Sequence, residues 1–318
     1  MNVFRAAVAL LVANAILVSI AVADERILDY HSDITINRDG SMIVDESITV
    51  RAEGRRIVRG IYRDFPTDYR DEFGNQYVVE FDVLGVRRDG TDEDWHTERR
   101  SNGVRVYVGD ANRKLNPGTY TYTIRYRTDR QLGFFEKHAE LYWNVTGNGW
   151  AFSIDEVSAI VKLPGQPSAN QLVMEGYTGR YRSQGRDYES WTDQARAGIR
   201  STRVLAPQEG LSLVVSFPKG LVAEPTTADR LGYLLTDNRG LLLALVAIIA
   251  SFIYLSVTWH RLGRDPDSGV IFAHYEPPEG YSPASARYIS RMSYDAGVFS
   301  AAVLNLAVKG HVSIDKSG

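Results

Sequence analysis

The chain has no cysteine among its 318 residues. Disulfides and thiolate metal sites are therefore excluded. It also lacks a basic excess, with a formal net charge of -3. From Asp24 to Arg239, 29 Lys and Arg face 33 Asp and Glu. A sequence-independent nucleic-acid binder needs a cationic surplus, so nucleic acid is excluded as a partner. Lysine is scarce, 6 residues against 30 arginines, a bias of genome composition rather than of chemistry. The signatures of common enzymes are missing as well. There is no His-Glu-x-x-His, no Gly-x-Ser-x-Gly and no Gly-x-x-x-x-Gly-Lys loop. The six histidines, at 31, 96, 138, 260, 274 and 311, are scattered. The acidic stretch Asp89-Gly90-Thr91-Asp92-Glu93-Asp94 lacks the ligand spacing and closing Glu of an EF-hand, so it reads as a hairpin tip. No metal and no cofactor is expected.

What the chain has instead is two apolar runs. Arg5 opens a short positive region, and Ala6 to Ile20 is apolar apart from Asn14. Ala21-Val22-Ala23 then presents small residues at a cleavage site, and Asp24-Glu25 turns polar at once. Residues 1–23 read as a signal peptide cleaved after Ala23, with an uncleaved anchor as the alternative. The second run, Leu241 to Trp259, carries no charge. Nineteen residues at a helical rise reach about 28 Å, close to the hydrocarbon thickness of a bilayer. Arg230 and Arg239 outside balance Arg261 and Arg264 inside. The positive-inside rule is tied, and the signal peptide sets the orientation instead. The expected layout is a signal peptide over 1–23, an exported domain over 24–220, a linker over 221–240, a span over 241–259 and a cytoplasmic segment over 260–318. The bilayer is thus the first expected partner, and the location is the cell membrane, crossed once in this chain.

The exported segment is dominated by a period of two. Ile27 to Ile36 and Ser41 to Val50 flank the turn Asn37-Arg38-Asp39-Gly40 and form a hairpin. Val44, Glu46, Ile48 and Val50 alternate with Asp45, Ser47 and Thr49. Thr119 to Thr128 places Tyr120, Tyr122, Ile124 and Tyr126 on one face. Further strands are expected over 77–86, 104–108, 139–145, 157–163, 199–205 and 211–217. The fold class is mainly β, an antiparallel Ig-like β-sandwich joined to one transmembrane helix. Beyond the span, Pro283 to Arg291 and Asp295 to Lys309 read as helices, with Asp295 as an N-cap. Gly310 stops the second, and His311 to Asp315 looks like a strand. That makes a short α/β cytoplasmic segment, the start of a winged-helix-like domain and incomplete as it stands.

Two stretches stand out in the exported part, Arg59-Gly60-Ile61-Tyr62-Arg63-Asp64-Phe65-Pro66 and Glu140-Leu141-Tyr142-Trp143-Asn144-Val145-Thr146-Gly147-Asn148-Gly149-Trp150. After the span come Gly263-Arg264-Asp265-Pro266 and Tyr275-Glu276-Pro277-Pro278-Glu279-Gly280-Tyr281-Ser282-Pro283. In this order, around one signal peptide and one span, they resemble the YciQ-like family of predicted bacterial membrane proteins, N-terminal part. The resemblance implies an envelope membrane protein and carries over no catalytic residues. Members of that family usually continue past Gly318, often with further apolar spans.

The candidate binding residues lie in the two exported motifs. Tyr142, Trp143 and Trp150, with Phe134, Phe135 and Phe152 near them, offer aromatic faces for a sugar or a partner. The competing reading is core: Tyr142 and Asn144 share one strand face and Trp143 and Val145 the other, which favours burial of Trp143. Trp150 sits by Gly147 and Gly149, where either state fits. Arg59, Tyr62, Arg63 and Asp64 form a charged group expected on a loop, as a binding network or a structural ion pair. The role expected is non-enzymatic: the exported domain binds a ligand, a protein or a wall component outside, for sensing, adhesion or scaffolding. The rival is a glycan- or wall-active hydrolase using paired carboxylates about 5 to 9.5 Å apart.

The layout has a direct check. A reporter fused after Phe217 is expected to be active only outside the cytoplasm, and one fused after His274 only within it. Cytoplasmic activity of the Phe217 fusion overturns the topology.

Overall fold

The computed structural model describes residues 24–71, 73–264, 269–270 and 278–315. The expected signal peptide and part of the Tyr275 to Pro283 motif lie outside the described residues. Among the described residues, seventeen strands precede four α-helices. In chain order the first strands are β1 (Arg26–Ile36), β2 (Met42–Ala52), β3 (Ile61–Pro66), β4 (Asp68–Arg70), β5 (Gln76–Val78) and β6 (Phe81–Arg88). Then come β7 (Thr91–Asp92), β8 (Trp95–Arg100), β9 (Gly103–Val108), β10 (Gly118–Thr128), β11 (Leu132–Phe134) and β12 (His138–Asn144). The last are β13 (Ile154–Lys162), β14 (Val173–Gly179), β15 (Tyr188–Asp193), β16 (Arg196–Ser201) and β17 (Gly210–Pro218). The helices are α1 (Thr227–Asp237), α2 (Arg239–Thr258), α3 (Pro283–Arg291) and α4 (Ala296–Val308).

Alternation builds the main sheet. In β2, Met42, Val44, Glu46, Ile48, Val50 and Ala52 are all buried, while the residues between them are partly exposed. In β10, Tyr122, Ile124 and Tyr126 are buried, and Arg125 and Arg127 face outward. The hairpin expected between β1 and β2 is present, with Gly40 at φ +83°. That left-handed conformation is open to glycine at no steric cost. The main sheet runs β15-β16-β13-β1-β2-β10-β6-β7. A second sheet is β11-β12-β17-β14, a third is β3-β9-β8, and β4 and β5 form a two-stranded hairpin. One hydrophobic core draws Tyr30, Ile48 and Tyr126 from the first sheet, Leu141 and Leu213 from the second, and Phe65 and Val106 from the third.

Three expectations need correction. The β-domain is not wholly antiparallel: β1 pairs with β13 in parallel, Tyr30 opposite Val157 and Ile34 opposite Val161. Chain order alone does not reveal this, because β13 returns to β1 after more than a hundred intervening residues. Residues 61–66 are a strand rather than a loop. His311 to Asp315 shows no strand, so no winged-helix step follows α4 among the described residues. An isolated strand has no ladder partner to satisfy its backbone. The acidic stretch from Asp89 behaves as expected, with Asp89 and Gly90 both at positive φ in the β6–β7 turn.

The described residues fall into two compact units divided within α2, between Leu245 and Val246. Arg239–Gly263 is, among the described residues, the one helix long and apolar enough to cross a membrane. In the second unit α3 packs against α4. Asp295 caps α4 by accepting the Val298 N–H at 2.9 Å and grips Arg287 with both carboxylate oxygens, at 2.9 and 2.7 Å. Those bonds, from the Arg287 guanidinium first and the Val298 N–H next, pull the Asp295 carboxyl down to about 2. At the other end of α4, Gly310 takes φ +76°, donates to the Ala307 carbonyl, and passes the chain to His311, which donates to Leu306. This is a Schellman stop.

The core cluster begins at Ile27 and ends at Val222, all within the first unit. Residues 24–225 alone are therefore expected to give a β-type circular dichroism spectrum and one cooperative urea transition. A dominant helical signal, or a gradual melt, counts against a self-sufficient core.

Candidate functional site

Glu46 lies on the inward row of β2 and is 0% exposed. A bare carboxylate there would be prohibitively unfavourable, so its partners define the site. Tyr30 on β1 donates its hydroxyl to Oε2 at 2.6 Å, and Tyr126 on β10 donates to Oε1 at 3.0 Å. Arg63 on β3, 6% exposed, donates through Nε to Oε2 at 3.1 Å and through NH2 to Oε1 at 3.3 Å. Arg63 also donates to the carbonyls of Asp64, at 2.8 Å, and Val145, at 3.2 Å. Burial depresses the guanidinium, but the Glu46 carboxylate together with Tyr30 and Tyr126 outweighs it and holds Arg63 above its ordinary value. Burial pushes Tyr30 and Tyr126 well upward, so both remain neutral donors.

Around this pair two cavities meet. The first, about 560 Å³, is bounded by Arg56, Tyr62, Arg63, Asp64, Arg105 and Trp150, among others. The second, about 510 Å³, is bounded by Phe81, Tyr126, Tyr142, Trp143, Tyr177 and Arg180, among others. Arg63, Phe65, Pro66, Asn144, Asn148 and Tyr181 border both.

The walls are positioned by local contacts. Arg105 on β9 grips Asp64 with two bonds of 2.6 and 2.8 Å and lies 4.0 Å over the Tyr62 ring. The Asp64 hydrogen bonds are the first cause of the raised Arg105 value. Arg56 lies 4.7 Å over the Phe152 ring. Its segment is tied down by Glu25, which accepts backbone N–H bonds from Glu53, Arg55, Arg56 and Ile57. Burial would raise the Glu25 carboxyl, yet those four donors together bring it below its usual value. On the opposite wall Gly147 adopts φ +72°, and a Cβ there would stand 2.7 Å from Arg63 NH1. Glycine at 147 thus lets the loop after β12 close over the guanidinium.

The sequence candidates divide accordingly. Tyr62, Arg63, Asp64 and Trp150 border the first cavity; Tyr142 and Trp143, again with Arg63, border the second. Arg59 is exposed and borders neither, which removes it from the group. Trp150 is only 8% exposed, edge-to-face with Tyr30 at 6.3 Å between ring centres and its indole N–H donating to the Thr146 carbonyl at 2.9 Å. Trp143 is half-buried at the margin of the core, and its Nε1 is buried with no protein partner. Tyr142 stands 57% exposed. The sequence reading missed Glu46, Tyr30, Tyr126, Arg56, Arg105 and Tyr181 as members of the site. One signal was available: Glu46 shares the apolar register of Val44 and Ile48, where a carboxylate requires a buried partner.

Residues 26–217 match the family described as predicted membrane protein (DUF2207) N-terminal domain, and the chain belongs to that family. The uncharacterized protein YciQ of Escherichia coli (strain K12) is 27% identical over 301 residues, 92% of this chain and 46% of the relative. The chain thus spans about half the length of that curated relative. Among solved structures, native yeast LTA4 hydrolase gives a TM-score of 0.38 at 13% identity, over 61% of this chain and 29% of that one. An M1 zinc metallopeptidase from Deinococcus radiodurans gives 0.34 at 14% identity, over 59% and 42%. At those scores the likeness carries no argument.

Removing one member of a buried pair leaves the other charge uncompensated. Glu46→Ala in residues 24–225 is expected to lower unfolding free energy by about 3–5 kcal/mol in urea melts. The double variant Glu46→Leu/Arg63→Leu is expected to recover part of that loss. A single-variant loss within about 1 kcal/mol, the scale of an exposed pair, would show that this network does not hold the sheets together.

Proposed function

We propose that this member of the DUF2207 family is an envelope protein whose exported domain binds a partner in the cleft around Arg63. The layout follows the sequence reading. A signal peptide over 1–23 exports the domain of residues 24–220, the linker 221–240 leads to the span over 241–259, and residues 260–318 lie in the cytoplasm. Within the domain, an Ig-like sandwich reading is supported by one core shared between the large and the four-stranded sheets. Sensing, adhesion and scaffolding all follow from such a tethered binding domain.

One observation carries the reading. Two motifs about eighty residues apart in sequence line the same cleft, and Arg63, held by a buried ion pair with Glu46, borders both its lobes. Both lobes fall within the few hundred to one thousand Å³ usual for ligand sites. The exposed faces of Tyr142 and Tyr181 suit stacking on a sugar or an aromatic side chain. Arg56, exposed at the other end, suits an anionic group such as a carboxylate. The fitting ligand is therefore an extended chain with ring faces and a negative charge, a wall fragment or a peptide segment. The hydrolase alternative has weaker support. The two lobes hold one bordering carboxylate, Asp64, and Arg105 already binds both its oxygens. Glycoside hydrolysis by paired carboxylates needs two.

Photo-crosslinking in cells tests this whatever the identity of the ligand. A benzoylphenylalanine placed at Tyr142 or Tyr181 of the full chain is expected to capture an adduct visible as a mass shift. The same probe at Val173, exposed on β14 and bordering neither lobe, is the control. Adduct formation equal at all three positions, or at none, would refute a binding cleft.

A further inference from the structure

Helix α1 has a face that its own domain leaves uncovered. Leu231, Leu234 and Leu235, spaced i, i+3 and i+4, share one side and are 55%, 42% and 43% exposed. The helix is well started, since Thr226 accepts the Asp229 N–H and Asp229 reaches back to the Thr226 N–H. Eleven residues are nevertheless marginal for a helix in water unless an apolar face is packed.

The other side of α1 is clamped to the β-domain. Asp237 pairs with Arg130 at 2.8 Å, both nearly buried, and accepts the Val78 N–H at 3.2 Å. Arg130 is sandwiched between Tyr77 and Tyr233, 4.3 and 4.1 Å from their ring centres. At the C-terminal cap of α1 the Asn238 amide makes both bonds to the backbone of Gln76, accepting its N–H at 2.9 Å and donating to its carbonyl at 3.1 Å. Asn238, at φ -109° and ψ 28°, separates α1 from α2. The apolar helix begins at Arg239.

These contacts hold the β4–β5 hairpin against the start of α2. Gln76 touches the residue next to the start of α2. Phe73, at the tip of the β4–β5 hairpin and 82% exposed, is three residues from Gln76, at most about 10 Å along the chain. The geometry points to a lipid-docking face: the leucine side of α1 and Phe73 rest in the headgroup–acyl boundary of the bilayer that α2 crosses. This rests on reading α2 as the span. Leucine and phenylalanine on a short amphipathic helix and a hairpin tip are the side chains such a boundary takes up. Arg239, at the same level, suits the lipid phosphates. A protein partner would have to reach the same face within a turn or two of the span, in space the lipid headgroups already fill.

Because the chain has no cysteine, single-cysteine labels are unambiguous. The full chain, reconstituted in phosphatidylcholine vesicles, is labelled with bimane at Phe73→Cys, Leu231→Cys, Ile249→Cys or Lys114→Cys. Lys114 lies beyond the far end of β10, an eleven-residue strand of about 36 Å. Quenching by shallow doxyl-labelled lipid is expected to be several-fold stronger at Phe73 and Leu231 than at Lys114. Deep doxyl lipid is expected to quench Ile249. If Ile249 is quenched while Phe73 and Leu231 behave like Lys114, the docking face is wrong and the span stands. If Ile249 is not quenched, the span itself falls, and the docking face with it. A second variant guards against a label that perturbs the site. Leu231→Ser/Leu234→Ser/Leu235→Ser, which alters exposed side chains, is expected to weaken quenching at Phe73 and leave Ile249 unchanged. Undiminished quenching at Phe73 in that variant overturns the role of α1.

Discussion

The carboxylate of Glu46 is where three sheets of the β-domain are joined by charge. It projects from the middle of the main sheet, receives two tyrosine hydroxyls from neighbouring strands of that sheet, and binds a guanidinium delivered by a different one. That guanidinium also donates to Val145, at the end of a strand of the four-stranded sheet. Apolar packing alone is indifferent to small slides of one sheet over another. A buried ion pair with directional partners is not, because any shift leaves a charge or a hydroxyl without its bond. The cleft inherits its shape from this constraint. Both lobes are bounded by Arg63, whose position is set from below by Glu46 and from above by the closed loop at Gly147.

A second ion pair does for the membrane connection what the first does for the sheets. Arg130 and Asp237 are almost fully withdrawn from water and are framed by two tyrosine rings. The Asn238 amide adds a pair of backbone bonds to Gln76, much as a neighbouring strand would. An exported domain on a loose tether would sample many orientations. Here the residues just ahead of the apolar helix are hydrogen-bonded into the domain. The cleft and α1 thus belong to one compact unit.

Much of the β-architecture was legible from alternation. The strands around Ile27 to Val50 and Thr119 to Thr128 were found because one face is apolar and the other is not. The strand Trp95–Arg100 escaped because every residue in it is exposed, so no period of two exists to detect. The segment Ile61–Pro66 escaped because its charged residues suggested a loop, whereas Arg63 is charged at the one point where the core holds a carboxylate to meet it. Trp150 could not be placed by sequence, since its glycine neighbours fit either state; the carbonyl of Thr146 and the ring of Tyr30 decided it.

The amino-acid sequence by itself determined the apolar helix, the mainly-β character of the domain before it and the two motifs worth watching. These depend on local quantities: length, hydrophobic period and residue chemistry along a few consecutive positions. The parallel union of β1 with β13, the meeting of the two motifs in one cleft, the exclusion of Arg59 from it and the clamp of Asp237 on Arg130 were decided only in three dimensions. Each depends on residues separated by scores of positions, and no local period records which distant strand or side chain will arrive to satisfy a buried group.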